Sequence, residues 1–376
     1  MLNPCLSRFK PALAAILVMI ARFASADELA TRAQAVLDKT VADTGLPALT
    51  AGIAKGGNII WVGAAGFSDF ENKVAATPDM VHRLASVSKP MTATAAMQLV
   101  EQGKLDLDAP LRKYVSSWPQ KAEGEILLWN LLSHTSGIRH YAGRESRPTT
   151  HYATLLDAVD VFKDRPLAFA PGDQYLYTTY GYTALGAAIE AASGENYADY
   201  MRAHVWGPAG MAHTSLEVNG VDVANKAKLY RRTPRGPAPD VHDDASVRYP
   251  GGGIQSTAAD LLRFAIAFEN ETLLKKTSID RMQVVPALRT PPADGKRTPY
   301  ALGLIILDSK DYGRILTHDG GQSGTSTNFS IYPDHHLAVA VLCNLQDAGK
   351  PVLDVTIALA RAALGLPDLA PATAAK

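Results

Sequence analysis

Cysteine is almost missing from this sequence: two occur among 376 residues, Cys5 and Cys343. Cys343 alone remains once the N-terminal segment described below is removed, so no disulfide forms within the mature chain. A cysteine-rich zinc site is excluded as well. Neither charge is in excess, with 37 Lys+Arg against 37 Asp+Glu. The longest basic run is Arg231-Arg232, which gives no footprint for nucleic acid. Aromatic residues make up only 7%. No apolar run reaches the ~20 residues that a bilayer span needs. There is no His-Glu-x-x-His, no Gly-x-Ser-x-Gly elbow and no phosphate loop ending in Gly-Lys-Ser/Thr. Nothing in the pattern calls for a metal or a cofactor. What is present, 47% hydrophobic and 20% charged residues, is the composition of a globular protein with a large core.

The first 26 residues stand apart. Arg8 and Lys10 precede the apolar run Pro11–Ala21, and Ala24-Ser25-Ala26 follows with small residues at the cleavage positions. This pattern predicts a secretory signal peptide over 1–26, with an uncleaved N-terminal anchor as the alternative. The mature protein would then be secreted, in a bacterium to the periplasm, with no stable membrane span. Three basic residues and no acidic ones leave with that segment, so the remainder carries a net charge of −3. Cys343 lies in the apolar stretch Leu-Ala-Val-Ala-Val-Leu-Cys and reads as a small buried hydrophobe.

Along residues 27–376, strand signals gather at the two ends and helical signals in the middle. Apolar runs Ala48–Ala54 and Ile59–Ala65 flank Lys55-Gly56-Gly57-Asn58, a hairpin signal. A helix is predicted from Ser86 to Gln102, closed by Gly103. Helical patterns follow at 127–133, 152–163, 181–193 and 196–205, and the proline-rich stretch 231–250 reads as a long loop. Strand runs return at Tyr300–Leu307, Gly313–Thr317, Thr327–Tyr332 and Leu337–Cys343, and a helix closes the chain at 351–364. The expected fold is α+β. An antiparallel sheet flanked by helices is assembled from the two chain ends, 27–104 and 251–366. A mostly helical subdomain, 105–250, is inserted between them, with the site in the cleft.

Three segments can carry chemistry. Ser86 and Lys89, three residues apart at a helix start, share one face, so an amine can reach a hydroxyl. A serine alcohol needs such a base to act as a nucleophile, and a lysine serves when its pKa is lowered. The spacing alone is weak, since about one Ser-x-x-Lys per chain is expected by chance, and Ser7–Lys10 is another. The small residues after Lys89 (Thr92, Ala93, Ala95, Ala96) mark a buried helix, where an inward lysine needs a reason. Tyr177-Thr178-Thr179 lies in a tyrosine-rich region (Tyr175, Tyr180, Tyr182, Tyr197), where a tyrosine can move protons or merely pack. His318-Asp319-Gly320-Gly321 offers a cation beside two glycines that admit close approach, or else a polar turn.

In order, Leu84-Ala85-Ser86-Val87-Ser88-Lys89-Pro90, Leu132-Ser133-His134-Thr135-Ser136-Gly137-Ile138, Pro171-Gly172, Tyr177-Thr178-Thr179-Tyr180-Gly181-Tyr182, Gly251-Gly252-Gly253-Ile254-Gln255-Ser256-Thr257 and His318-Asp319-Gly320-Gly321 resemble the serine β-lactamase and penicillin-binding-protein superfamily. The resemblance is to its class C β-lactamase-like branch, which includes esterases, D-amino-acid peptidases and the mitochondrial β-lactamase-like protein. It covers nearly all of the chain after residue 26. It implies an acylated nucleophile Ser86, an activating Lys89 and a proton-carrying Tyr177. An oxyanion hole would form from the Ser86 and Gly321 amides, with Thr179, His318 and Gly320 facing substrate. His134-Thr135-Ser136-Gly137 is implied to be structural. Two departures stand out: Thr179 where the family commonly has Asn, and His318 where efficient β-lactamases commonly have Lys. A partly charged His318 would hold a carboxylate less firmly. The implied activity is a serine hydrolase acting on an ester, small amide or peptide, with β-lactams as slow substrates at most. The rival reading is a non-catalytic ligand-binding or scaffold protein on the same fold.

Overall fold

A computed structural model describes residues 10–241, 243–290 and 299–368, with side chains from residue 27 onward. Helix α1 (Lys10–Thr44) opens the described chain. The predicted signal segment 1–26 lies outside the residues whose side chains are described. No helix among the described residues is long and apolar enough to cross a membrane.

Strands β1 (Ala48–Lys55) and β2 (Asn58–Asp69) form the predicted hairpin. Gly56 and Gly57 at its tip have φ of 58° and 76°, the positive values a two-residue turn of this kind demands. Short strands β3 (Val74–Ala75) and β4 (His82–Arg83) lead to helix α2 (Ser88–Glu101). The middle of the chain holds α3 (Leu128–Leu132), α4 (Leu155–Asp160), α5 (Thr179–Ser193) and α6 (Tyr197–Tyr200). Then come β5 (Ser215–Leu216), β6 (Tyr230–Thr233), β7 (Gly236–Pro239), α7 (Tyr249–Gly252), β8 (Ile254–Ser256), α8 (Ala258–Glu269) and α9 (Lys276–Met282). The chain ends with β9 (Ile305–Ser309), β10 (Gly313–Gln322), β11 (Thr325–Tyr332), β12 (Leu337–Cys343) and α10 (Gly349–Leu364).

The main sheet is antiparallel, in the order β3-β2-β1-β12-β11-β10-β9. The two ends of the chain therefore meet in its centre, where Leu49 pairs with Cys343 and Lys55 with Leu337. The sequence of β12 explains its place. All seven residues are apolar and buried. Leu337, Val339, Val341 and Cys343 join the core under α1 and α10, while Ala338, Ala340 and Leu342 join the core on the opposite face. A strand covered on both faces has no polar side to show. Burial pushes the Cys343 thiol up to about 12, in keeping with a packing role.

The second core runs without a break from α8 through α2 into α3, α4 and α5. Helix α2 is its axis, with Ser88 to Met97 all buried. One expectation needs correction. Residues 231–250 are not one loop: they contain the β6–β7 hairpin and α7. Pro237 and Pro239 lack an N–H, which is why this two-stranded ribbon stands as a separate sheet and left no strand signal. Of the two readings open for residues 318–321, the strand is the one found: they continue β10, paired with Phe329 to Ser326 of β11.

Candidate active site

The Ser86 turn is built first. Ala85 has φ +50°, a strained value for a residue with a side chain, and Ala85–Val87 form one 3-10 turn ahead of α2. Three contacts hold it. Ser88 Oγ donates to Ala85 O at 2.7 Å, the Ile254 amide donates to Ser88 Oγ at 3.3 Å, and Thr327 Oγ1 donates to Leu84 O at 2.8 Å. Gly320 of β10 lies against the same turn. A Cβ at Gly320 would stand 2.5 Å from Leu84 O and would also run into Thr327 Oγ1, so only glycine lets the strand approach this closely. Below the turn, Arg83 is fully buried and bonded to Glu217 at 2.5 Å and to Asp243 at 2.6 Å, with Arg248 on the other side of Asp243. Removing one member would leave a buried charge without its partner.

Lys89 is 0% exposed. Its Nζ reaches Ser86 Oγ at 3.0 Å, Thr179 Oγ1 at 3.3 Å and Gly251 O at 2.6 Å. Burial holds its pKa well below the ordinary lysine value. The Arg248 charge adds to the depression, and the Asp319 carboxylate opposes it. Tyr177 donates its hydroxyl to Ser86 Oγ at 2.6 Å. Burial drives the phenol's pKa well above its usual value, so it carries its proton at neutral pH. The Ser86 oxygen thus sits between an amine of depressed pKa and a protonated phenol.

The start of α5 fixes the phenol. Thr178 caps the helix, its Oγ1 accepting from the Gly181 amide at 3.3 Å. The Thr178 and Thr179 amides donate to His134 Nδ1 at 3.2 Å and His140 Nδ1 at 3.0 Å. Two helix-start donors that would otherwise lack acceptors are met this way. Both imidazoles are neutral as a result: burial lowers His134 well below the usual histidine value and His140 to about 4. The His134 ring packs 4.3 Å from that of Tyr177, centroid to centroid.

A family model described as Beta-lactamase matches residues 33–364. The chain belongs to the β-lactamase family. It is 28% identical to the mitochondrial serine β-lactamase-like protein LACTB of Homo sapiens, over 84% of this chain and 77% of that one. It is 32% identical to esterase EstB of Burkholderia gladioli over about half of each chain, 50% and 51%. Among solved structures, the D-amino acid amidase of Ochrobactrum anthropi superposes with a TM-score of 0.79 at 21% identity, covering 90% of this chain and 99% of that one.

The structure gives Thr179 and His318 each a local role. Thr179 is buried, and its hydroxyl is turned to Lys89 rather than to open space. His318 is 2% exposed, and both ring nitrogens are taken. Its Nδ1–H donates to its neighbour's backbone, Asp319 O, at 2.6 Å, which leaves Nε2 to accept from the Tyr300 hydroxyl at 2.9 Å. The carbonyl requires a proton on Nδ1, and burial lowers the ring's pKa to about 4, so the neutral Nδ1–H tautomer is the one present at neutral pH. The expected partial positive charge on His318 is therefore absent at neutral pH. Gly321, one residue past Gly320 on β10, is exposed, and a Cβ there would meet nothing within 4 Å. His140 and Tyr300 were not among the residues singled out from sequence, since neither stands in a chemically telling pattern. Gly251, whose carbonyl receives Lys89, was seen only as part of a glycine run. Among the described residues no group of histidine, cysteine and carboxylate side chains suits a metal ion.

Proposed function

We propose that the protein is a serine hydrolase working through an acyl-enzyme on Ser86, with esters and small amides or peptides as substrates. The observation that carries this is the double contact on Ser86 Oγ, 3.0 Å from Lys89 Nζ and 2.6 Å from Tyr177 OH. A neutral amine has two N–H groups and one lone pair. With the N–H groups on Gly251 O and Thr179 Oγ1, the lone pair falls to the Ser86 hydroxyl, which is the arrangement a general base requires. Ser86 Oγ bonds to the substrate carbonyl carbon while its proton passes to Lys89 Nζ. The carbonyl electrons move onto oxygen, facing the Ser86 and Gly321 amides, each such donor contributing about 3 kcal/mol. Re-forming the carbonyl breaks the bond to the leaving alkoxide or amine, which takes a proton from the Tyr177 side, and Lys89 returns that proton. Water, deprotonated by the same base, then adds to the acyl ester and releases the acid. The likeness to an esterase supports ester cleavage. The neutral His318 supports poor retention of β-lactam carboxylates.

Assaying p-nitrophenyl esters, D-alanyl peptides and nitrocefin side by side tests this. Ester or peptide turnover should exceed nitrocefin turnover, and Ser86→Ala should abolish all of it. Formation of a long-lived adduct without turnover would favour the ligand-binding reading. Activity that survives Ser86→Ala would refute the mechanism.

A further inference from the structure

Among the described residues, no strand pairs with the outer edge of β10 beyond Thr317. Strand β9 pairs with β10 only from Gly313 to Thr317, whereas β11 follows it through to Gln322. An extended substrate can lie along such an edge and bond to its backbone. Side chains alternate there: His318 and Gly320 are buried, Asp319 and Gly321 exposed. Asp319 immediately precedes Gly320 and lies two residues from Gly321, and among the described residues no ion pair holds it. Its carboxylate acts electrostatically on Lys89, Tyr177 and Tyr175, so its field reaches the reacting oxygen.

Among the described residues, none of the cations bonded at the site pairs with it. Lys89 is turned to three oxygens, and His318 has both nitrogens engaged. His140 accepts from a backbone amide, and Arg248 is buried against Asp243. Resting on the hydrolase reading above, we infer that Asp319 is a specificity residue. It favours acyl donors that carry an ammonium group near the scissile bond and turns away those that carry a carboxylate there. Opposite charges several ångströms apart at a partly screened surface shift binding by on the order of tenfold.

The test uses three p-nitrophenyl esters of matched length whose far ends are trimethylammonium, tert-butyl or carboxylate. The readout is the ratio of kcat/KM values, which a general loss of activity would not move. Wild type should rank ammonium over neutral over carboxylate, by about tenfold at each step. Asp319→Asn should compress the whole range to about threefold. Raising salt from about 20 mM to about 0.5 M should compress the wild-type range too, a readout needing no variant. A ranking unchanged in Asp319→Asn, or a wild type indifferent to charge or favouring the carboxylate, overturns the inference while leaving the hydrolase reading intact. Hydrolysis of none of the three removes both.

Discussion

Lys89→Met is expected to lower kcat/KM by about 10³-fold, inside the range a positioned general base supplies. Methionine keeps the side-chain length inside buried α2 and deletes only the amine, so the fold should survive. Circular dichroism and thermal melting check that. The same argument fixes the pH dependence of the wild type. Catalysis needs the uncharged amine, and kcat/KM rises with pH as Lys89 loses its proton. Burial and the Arg248 charge place that step well below the ordinary lysine range. The rise in activity should therefore be complete well below the pH at which an ordinary lysine titrates. A rate that keeps climbing toward pH ~10, as an unperturbed lysine would give, contradicts a depressed Lys89.

Tyr177→Phe should cut turnover by about 10²-fold or more. The ring stays, packed on His134, so the loss isolates the hydroxyl 2.6 Å from Ser86 Oγ. The size of the loss should depend on the leaving group. An amine must be protonated as it departs, whereas p-nitrophenolate leaves unaided. Amide substrates should accordingly suffer more than activated esters. A loss below threefold on amides would remove the phenol from the proton path.

Much of this arrangement was legible because its signals are local. The all-apolar run Leu337–Cys343 reads as a strand covered on both faces, and Gly56-Gly57 between two apolar runs reads as a tight hairpin. Ser86 and Lys89 meet because three residues make nearly one helical turn, and helix geometry follows from spacing. Tyr177 was found through resemblance; its approach to Ser86 depends on α5 crossing α2, which no local pattern encodes. The neutral state of His318 was out of reach for the same kind of reason. Its neutral state is set chiefly by burial and then by the Lys89 amine, both of which arise only when distant segments pack around it. His140 also acquires its role only when α5 is in place. The prolines of β7 concealed a real hairpin, since the rule against proline in strands weakens for an isolated ribbon.

Mass spectrometry of the protein after reaction with a fluorophosphonate puts the acyl-enzyme proposal to its most direct trial. One adduct per chain, carried on the peptide containing Ser86 and lost in Ser86→Ala, is the predicted result. A folded protein that takes up no label, or one that is labelled equally after Ser86→Ala, would contradict a nucleophilic Ser86.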